Sequence, residues 1–390
     1  MNDRTHMPGD APNERAGVLL PLPLPPYDYK LPCGVALRRG LVVAAPLGPR
    51  QSLGVVWGKA EGAVGDNRLK EAVPLDGEPV LPAGLCDFVD WVAQYTLTPP
   101  GLVLAMALRS RQAFEAEIPR LAYAKADSLP KRMTPARRRV LEIAADGLAR
   151  SVPQLAEEAD ATPAVVRGLI EAQALVEVEL PEFPPFQAPD PDFAPPKLNT
   201  EQDLAAHLLR GGVGFHRFAV SLLDGVTGSG KTETYFEAVA EALRQGKQTL
   251  ILLPEIALTV QFLDRFAERF GARPAEWHSD LTQKERRRVW RAVLRGEARV
   301  VVGARSALFL PFAALGLIIV DEEHEQAYKQ EDGAIYHARD MAVVRGRIEH
   351  CPVVLASATP SLETYVNATS GRYAHLRLHR RHGVAIMPEV

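Results

Sequence analysis

Short apolar runs dominate the start of the chain. Between Val18 and about Ala60, VLLPL, LVVAAP and LGVVW alternate with Pro and Gly, which predicts short strands curled into a small β-barrel or sandwich. A helix over roughly 85–95 closes that unit, and polar, aperiodic residues 1–17 are predicted to be a disordered extension. From about Thr134 the period changes. Leu141, Ala145 and Leu148 recur at helical spacing, and Ser151 with Gln154 predicts a capping box for a second helix. Thr162-Pro163 predicts a third, with Val165/Leu169 and Val166/Ile170 as its apolar face. LVEVEL follows as a strand. Three helices and a β-ribbon make a winged-helix pattern. Such units bind DNA or bridge proteins, and the pattern leaves both open.

Seven prolines between Pro181 and Pro196 predict a semi-rigid linker. After it, RFAVSLL, QTLILL, ARVVVG, GLIIVD and CPVVLAS alternate with helical patterns, which specifies a parallel sheet covered by helices. The expected fold is therefore a multidomain α/β chain. Its parts are an extension (1–17), a β-barrel-like domain (18–110), a winged helix (111–180), a linker (181–197), an α/β domain (198–382) and a connecting tail (383–390).

The length of 390 residues agrees with two to three domains. A net charge of -3 gives no global attraction to a polyanion. Basic residues cluster locally, at Arg137–Arg139, Lys284–Arg288 and Arg380-Arg381, and nucleic-acid binding needs only a local positive face. Cys33, Cys86 and Cys351 lie far apart, so neither a disulfide framework nor a zinc site is expected in this chain. VLLPLPLPP is too short and too proline-rich for a signal peptide or a membrane span, so the protein is expected to be cytoplasmic and free of membrane.

The chemistry concentrates in the α/β domain. Gly225 to Thr232, GVTGSGKT, fits G-x-x-x-x-G-K-[ST] at every position, between an apolar run and a predicted helix. That order surrounds phosphates with backbone N–H groups and a helix N-terminus. Gly225, Gly228, Ser229 and Gly230 form the turn, Lys231 neutralises the β- and γ-phosphates, and Thr232 ligates Mg²⁺. The run LGLIIV ends in Asp321-Glu322-Glu323-His324. Acidic residues at a strand end often only open a helix. Beside a phosphate loop, Asp321 can hold the Mg²⁺ shell while Glu322 orients and deprotonates the attacking water. Ser357 and Thr359, in ASATPSLET, follow the next strand, where a helix N-cap is the simple alternative.

GVTGSGKT, LLPEIALT, GARSALF, DEEH and ASATPSLET, in that order, resemble the motifs of superfamily 2 DExH helicases. DEEHEQAYKQED, YHARDMAVVR and SATPSLETY further resemble the primosomal protein N′ family of replication-restart helicases, as do LPLPLPPYDYKLP and LKEAVPLDGEPVL near the start. The resemblance spans about Val18 to Pro388. It implies a RecA-like helicase lobe behind a domain that binds the 3′ end of the leading strand. Tyr27, Asp28, Gly48 and Lys70 match that domain's end-binding pocket, where an aromatic face, a carboxylate and an ammonium suit a terminal nucleotide. Gln202 matches the adenine-reading position, implying ATP. His324, Ser357 and Thr359 match residues that link the γ-phosphate to DNA-dependent change. Arg305, Ser306, Tyr328, Tyr336 and Arg339 match DNA-contacting segments. Trp91 and Tyr95 read as a core stripe or as part of a pocket for single-stranded DNA-binding protein.

The implied partners are branched or forked DNA, single-stranded DNA, single-stranded DNA-binding protein and primosome loader proteins. In this superfamily ATP is hydrolysed between two lobes, and the second donates arginines. LRLHRRHGVAIMPEV resembles the stretch just before that second lobe, so this chain is expected to bind ATP and hydrolyse it poorly alone. The expectation is a 3′→5′ DNA helicase for fork restart; the alternative is a fork-binding platform without productive turnover.

Overall fold

The computed structural model describes residues 14–380, apart from 63–64, 109–110, 115–118, 216 and 255–259. The chain divides into two compact units, one formed by residues up to Phe114 together with those from Phe186 onward, the other by Glu115–Pro185.

The larger unit begins with five antiparallel strands, β1 (Arg15–Leu19), β2 (Tyr27–Lys30), β3 (Val42–Leu47), β4 (Arg50–Lys59) and β5 (Val73–Pro74), in the order β2-β1-β4-β3-β5. β1 starts inside the stretch expected to be unstructured, because Ala16 and Val18 are buried in the sheet core. Gly48, with φ 59°, supplies the left-handed turn residue between β3 and β4. The segment after it bonds both edges of the sheet. Lys30 N–H donates to the Lys70 carbonyl (2.9 Å) and Ala72 N–H to the Lys30 carbonyl (2.9 Å), while β5 pairs with β3. Helices α1 (Ala83–Thr96) and α2 (Pro100–Ala107) follow.

The smaller unit holds β6 (Arg120–Lys125), α3 (Pro135–Ile143), α4 (Val152–Glu158), α5 (Pro163–Glu171) and β7 (Leu175–Leu180). Val140, Leu155, Val166 and Leu169 pack into one core. The Ser151–Gln154 capping box is present. β7 pairs antiparallel with β6, so the ribbon's other strand precedes the helices. The expected stripe through Leu148 fails: α3 stops at Ile143, Gly147 takes φ 79°, and Leu148 is 62% exposed.

The rest of the larger unit is α6 (Thr200–Gly214), β8 (Val220–Gly225), α7 (Lys231–Arg244), β9 (Gln248–Leu252), α8 (Val260–Phe270), β10 (Ala275–Trp277), α9 (Gln283–Leu294), β11 (Val300–Gly303), β12 (Leu315–Asp321), β13 (Lys329–Gln330), β14 (Tyr336–His337), α10 (Ala338–Ile348), β15 (Val353–Ser357), α11 (Leu362–Thr369) and β16 (Ala374–Leu378). Seven strands form an all-parallel sheet, ordered β10-β11-β9-β12-β15-β8-β16. The five expected strands are its interior, β11, β9, β12, β15 and β8. The flanking β10 and β16 were not expected.

The proline-rich segment is docked on this sheet domain rather than free between domains. Asp190 N–H donates to the Phe270 carbonyl (2.9 Å), and the Arg269 guanidinium donates to the Pro191 carbonyl (2.9 Å). Pre-extended prolines lower the entropy cost of such docking. One apolar core runs from α1 into the sheet domain, with Phe88 against Phe309 at 5.2 Å between ring centroids. The Trp290 indole N–H donates to the Ala107 carbonyl (2.9 Å). No helix among the described residues is long and apolar enough to cross a membrane.

Candidate nucleotide site and DNA-facing segments

The phosphate loop joins β8 to α7. Gly228 (φ 79°) and Gly230 (φ 82°) adopt left-handed backbone, which a side chain would strain. A Cβ on Gly230 would also collide with the Gln202 amide. Lys231 is buried and its ammonium donates to the Gly225 carbonyl (2.9 Å), across the loop. The Ser229 hydroxyl is buried without a hydrogen-bond partner. A lysine parked on a carbonyl, an unpaired hydroxyl and the start of α7 together fit a phosphate group.

Gln202 is held against the phosphate loop. It is 1% exposed, its Oε1 accepts the Asn199 N–H (2.9 Å), and its Nε2 donates to the Ser229 carbonyl (2.8 Å). The same residue caps α6 with Asn199. One end of the amide caps α6 and the other braces the phosphate loop.

The acid turn follows β12, and only β15 separates β12 from β8 in the sheet. Tyr235, on the first turns of α7, donates its hydroxyl to Asp321 Oδ2 (2.8 Å), tying the phosphate-loop helix to the acid. The Glu322 N–H donates to Asp321 Oδ1 (3.0 Å). Burial pushes the Asp321 carboxyl up to about 6, against the opposing pull of the Tyr235 hydrogen bond. Thr232 and Asp321 offer oxygen ligands suited to Mg²⁺. Glu322 has φ 46° although it is not glycine, a conformation that costs about 1 kcal/mol or more. His324 Nδ1 lies 2.8 Å from Ser357 Oγ, which accepts the Thr359 N–H (3.0 Å). The three expected coupling residues are thus brought together.

The DNA-facing expectations fare unevenly. Arg305 and Ser306 are half-buried and border a cavity of ≈ 200 Å³ with His278, Ser279 and Arg286. Arg305 also donates to the Ala327 (3.1 Å) and Lys329 (2.7 Å) carbonyls. Tyr328, Tyr336 and Arg339, by contrast, are buried. The Tyr328 hydroxyl lies 2.6 Å from the Asp321 carbonyl oxygen, so it props the acid turn from beneath. Tyr336 packs against Phe309 at 5.8 Å. The Arg339 guanidinium is consumed by Ser361 (2.6 Å), Asp340 (2.8 Å) and Glu323 (3.3 Å). Residues 255–259 of the LLPEIALT stretch lie outside the described residues.

In the N-terminal domain, Tyr27 is exposed, and the Asp28 carboxylate accepts the N–H groups of Glu61 (3.0 Å) and Gly62 (2.9 Å). The Lys70 ammonium donates to the Gly48 carbonyl (3.3 Å). The backbone bond between Lys30 and Lys70 brings β2, which carries Tyr27 and Asp28, beside that pair. Trp91 and Tyr95 stack at 4.8 Å; Trp91 packs against the core, while Tyr95 is 62% exposed.

Comparison with known proteins agrees with this layout. Residues 202–368 match the DEAD/DEAH box helicase family, and residues 17–109 match a 3′DNA-binding domain (3′BD). The replication restart protein PriA of Chlamydia pneumoniae is 36% identical over 385 residues, 92% of this chain and 50% of that protein. The Haemophilus influenzae PriA is 35% identical over 94% of this chain and 52% of its own length. The Bacillus subtilis PriA is 43% identical over 249 residues, 63% of this chain and 31% of its own. The chain is a relative of PriA. It spans about half the length of the PriA proteins with which it aligns most fully, from the N-terminal domain through the first helicase lobe.

In this PriA relative one residue of the acid turn escaped the sequence reading. Glu323 is 0% exposed. Its Oε1 accepts the Ser361 N–H (2.7 Å), and its Oε2 accepts the hydroxyls of Ser361 (2.9 Å) and Thr364 (2.9 Å) and the Arg339 guanidinium (3.3 Å). A buried carboxylate survives only with such saturation, since an unpaired one costs several kcal/mol. Its partners come from 16 to 41 residues away, and only its place between Glu322 and His324 hinted at a role.

Proposed function

We propose that this chain recognises the 3′ end of the leading strand at stalled or abandoned replication forks and binds Mg·ATP in its α/β lobe. Together with a second lobe, it unwinds DNA 3′→5′ so that the replicative helicase can be reloaded. The observation that carries the ATP half is the Tyr235–Asp321 hydrogen bond. It holds the acid turn against the helix that begins with Lys231 and Thr232.

On nucleotide binding, Lys231 exchanges the Gly225 carbonyl for the β- and γ-phosphates, and the Ser229 hydroxyl gains its missing partner. Thr232 and Asp321 hold the Mg²⁺, which supplies charge neutralisation on the phosphates when bound. Glu322, held half-exposed beside them, orients and deprotonates the attacking water. His324 and Ser357 report the state of that site to the segment that begins with Thr359. Gln202 reads the adenine edge and braces the loop through the Ser229 carbonyl.

In the N-terminal domain, Tyr27 stacks on the terminal base and Asp28 accepts its 3′-hydroxyl. Lys70 and the Gly48 turn meet the adjoining phosphate. The segment that bonds both sheet edges supports a barrel-like reading of this domain, and the three-helix unit with its ribbon supports a winged helix. The stacked Trp91–Tyr95 pair, with Tyr95 exposed, supports contact with single-stranded DNA-binding protein, and primosome loader proteins complete the set of partners.

The end-recognition half is tested by comparing binding to forks that differ only in a 3′-hydroxyl or a 3′-phosphate, with Asp28→Ala alongside. Tighter binding of the hydroxyl form, lost in Asp28→Ala, is expected. Equal binding by both proteins to both forks refutes the assigned pocket.

A further inference from the structure

We infer that Glu323 is a positioning residue for hydrolysis, holding Glu322 in the left-handed backbone conformation from which it acts on the attacking water. The inference rests on the ATP-site reading and assigns a task to a carboxylate that touches neither nucleotide nor metal. Glu322 lies between two anchored neighbours. On one side Asp321 is fixed through its carboxyl by Tyr235 and through its carbonyl by Tyr328. On the other, Glu323 is fixed through its N–H and both carboxylate oxygens. Its N–H donates to the Ala356 carbonyl (3.1 Å), and its carboxylate takes four donors from Arg339, Ser361 and Thr364.

A non-glycine residue persists at φ 46° only where the surroundings over-determine it. The turn's own closure is slight: Glu325 N–H to the Glu322 carbonyl (2.9 Å) and Glu322 N–H to Asp321 Oδ1 (3.0 Å). On that side the Glu323 carboxylate adds its four donors to the Glu323 N–H bond (3.1 Å) and to the His324–Ser357 contact (2.8 Å). The same anchor explains why Arg339 and Ser361, from the YHARD and ATPSLET stretches, turn inward. They hold the acid turn from the N-termini of α10 and α11 rather than reaching for DNA.

The test is Glu323→Gln in the full chain, with Thr364→Val as a second variant that removes one donor and leaves the acid turn's residues intact. Two quantities are read: single-turnover hydrolysis of Mg·ATP with its separate binding constant, and hydrogen exchange at the amides of residues 322–325. Glu323→Gln is expected to slow hydrolysis at least ~10-fold with nucleotide affinity within about twofold, and to speed exchange at 322–325. Thr364→Val should do the same to a smaller degree. Unchanged exchange at 322–325 in folded variants overturns the inference whatever the activity, as does unchanged hydrolysis. Wild type that binds Mg·ATP no more tightly than Lys231→Ala would sink the ATP-site reading instead, and the exchange measurement would then still decide the role of Glu323 in the turn.

Discussion

Replacing Asp321 with Asn is expected to stabilise the nucleotide-free protein while abolishing its Mg²⁺-dependent grip on ATP. The carboxyl is almost fully buried, and loss of solvent raises it from 3.8 to about 6 despite the Tyr235 hydrogen bond. That rise corresponds to roughly 3 kcal/mol of differential free energy. The sign follows from proton binding. Between pH 3.8 and about 6 the folded chain keeps a proton that the unfolded chain has released, so stability falls as pH rises through that window and stays lower above it. Asn cannot ionise and escapes the penalty. It offers Tyr235 and the Glu322 N–H one oxygen instead of two, so the net gain at pH 8 is about 1–3 kcal/mol. The gain shrinks by roughly 1.4 kcal/mol at pH 5, where part of the wild-type penalty is already relieved. Urea unfolding of both proteins at pH 5 and pH 8, without nucleotide or divalent cation, measures the difference directly. An Asn variant less stable than wild type at pH 8, or a difference equal at the two pH values, would refute the reasoning.

Other residues make separate predictions. Gly230→Ala must place a Cβ at φ 82° against the Gln202 amide; nucleotide affinity should fall ~10-fold or more while the thermal midpoint moves by only a few degrees. Lys70→Ala should weaken fork binding and lower the slope of log affinity against log salt by about 1, as read by fluorescence anisotropy over a salt series. Arg345→Leu removes a fully buried guanidinium that donates to the Leu308 and Leu310 carbonyls and lies between Phe88 and Phe312. It should cost about 3 kcal/mol or more and, because the core is continuous from α1 to α10, lower one shared unfolding transition of the N-terminal domain and the lobe in calorimetry.

What the sequence disclosed depended on how far apart the interacting residues lie. The phosphate loop was legible because its glycines, Lys231 and Thr232 act on their own backbone within eight positions. The interior strands β8, β9, β12 and β15 were legible as apolar runs, being buried on both faces. β10 has only three residues, and β16 alternates, so neither produces such a run. Tyr328, Tyr336 and Arg339 looked like exposed loop residues because their partners, Asp321, Phe309 and Glu323, come from elsewhere in the chain. The same distance hid Glu323. Gln202 shows the reverse case: its capping box with Asn199 is local, readable and present in the structure.

The central claim is that Lys231 and the acid turn form one Mg·ATP site, and equilibrium titration of Mg·ATP into the chain tests it most directly. Wild type should bind one nucleotide per chain, and Lys231→Ala should bind at least ~30-fold more weakly, about 2 kcal/mol for a lost charge-assisted contact. Equal binding by the two proteins, or none by wild type, would contradict the account.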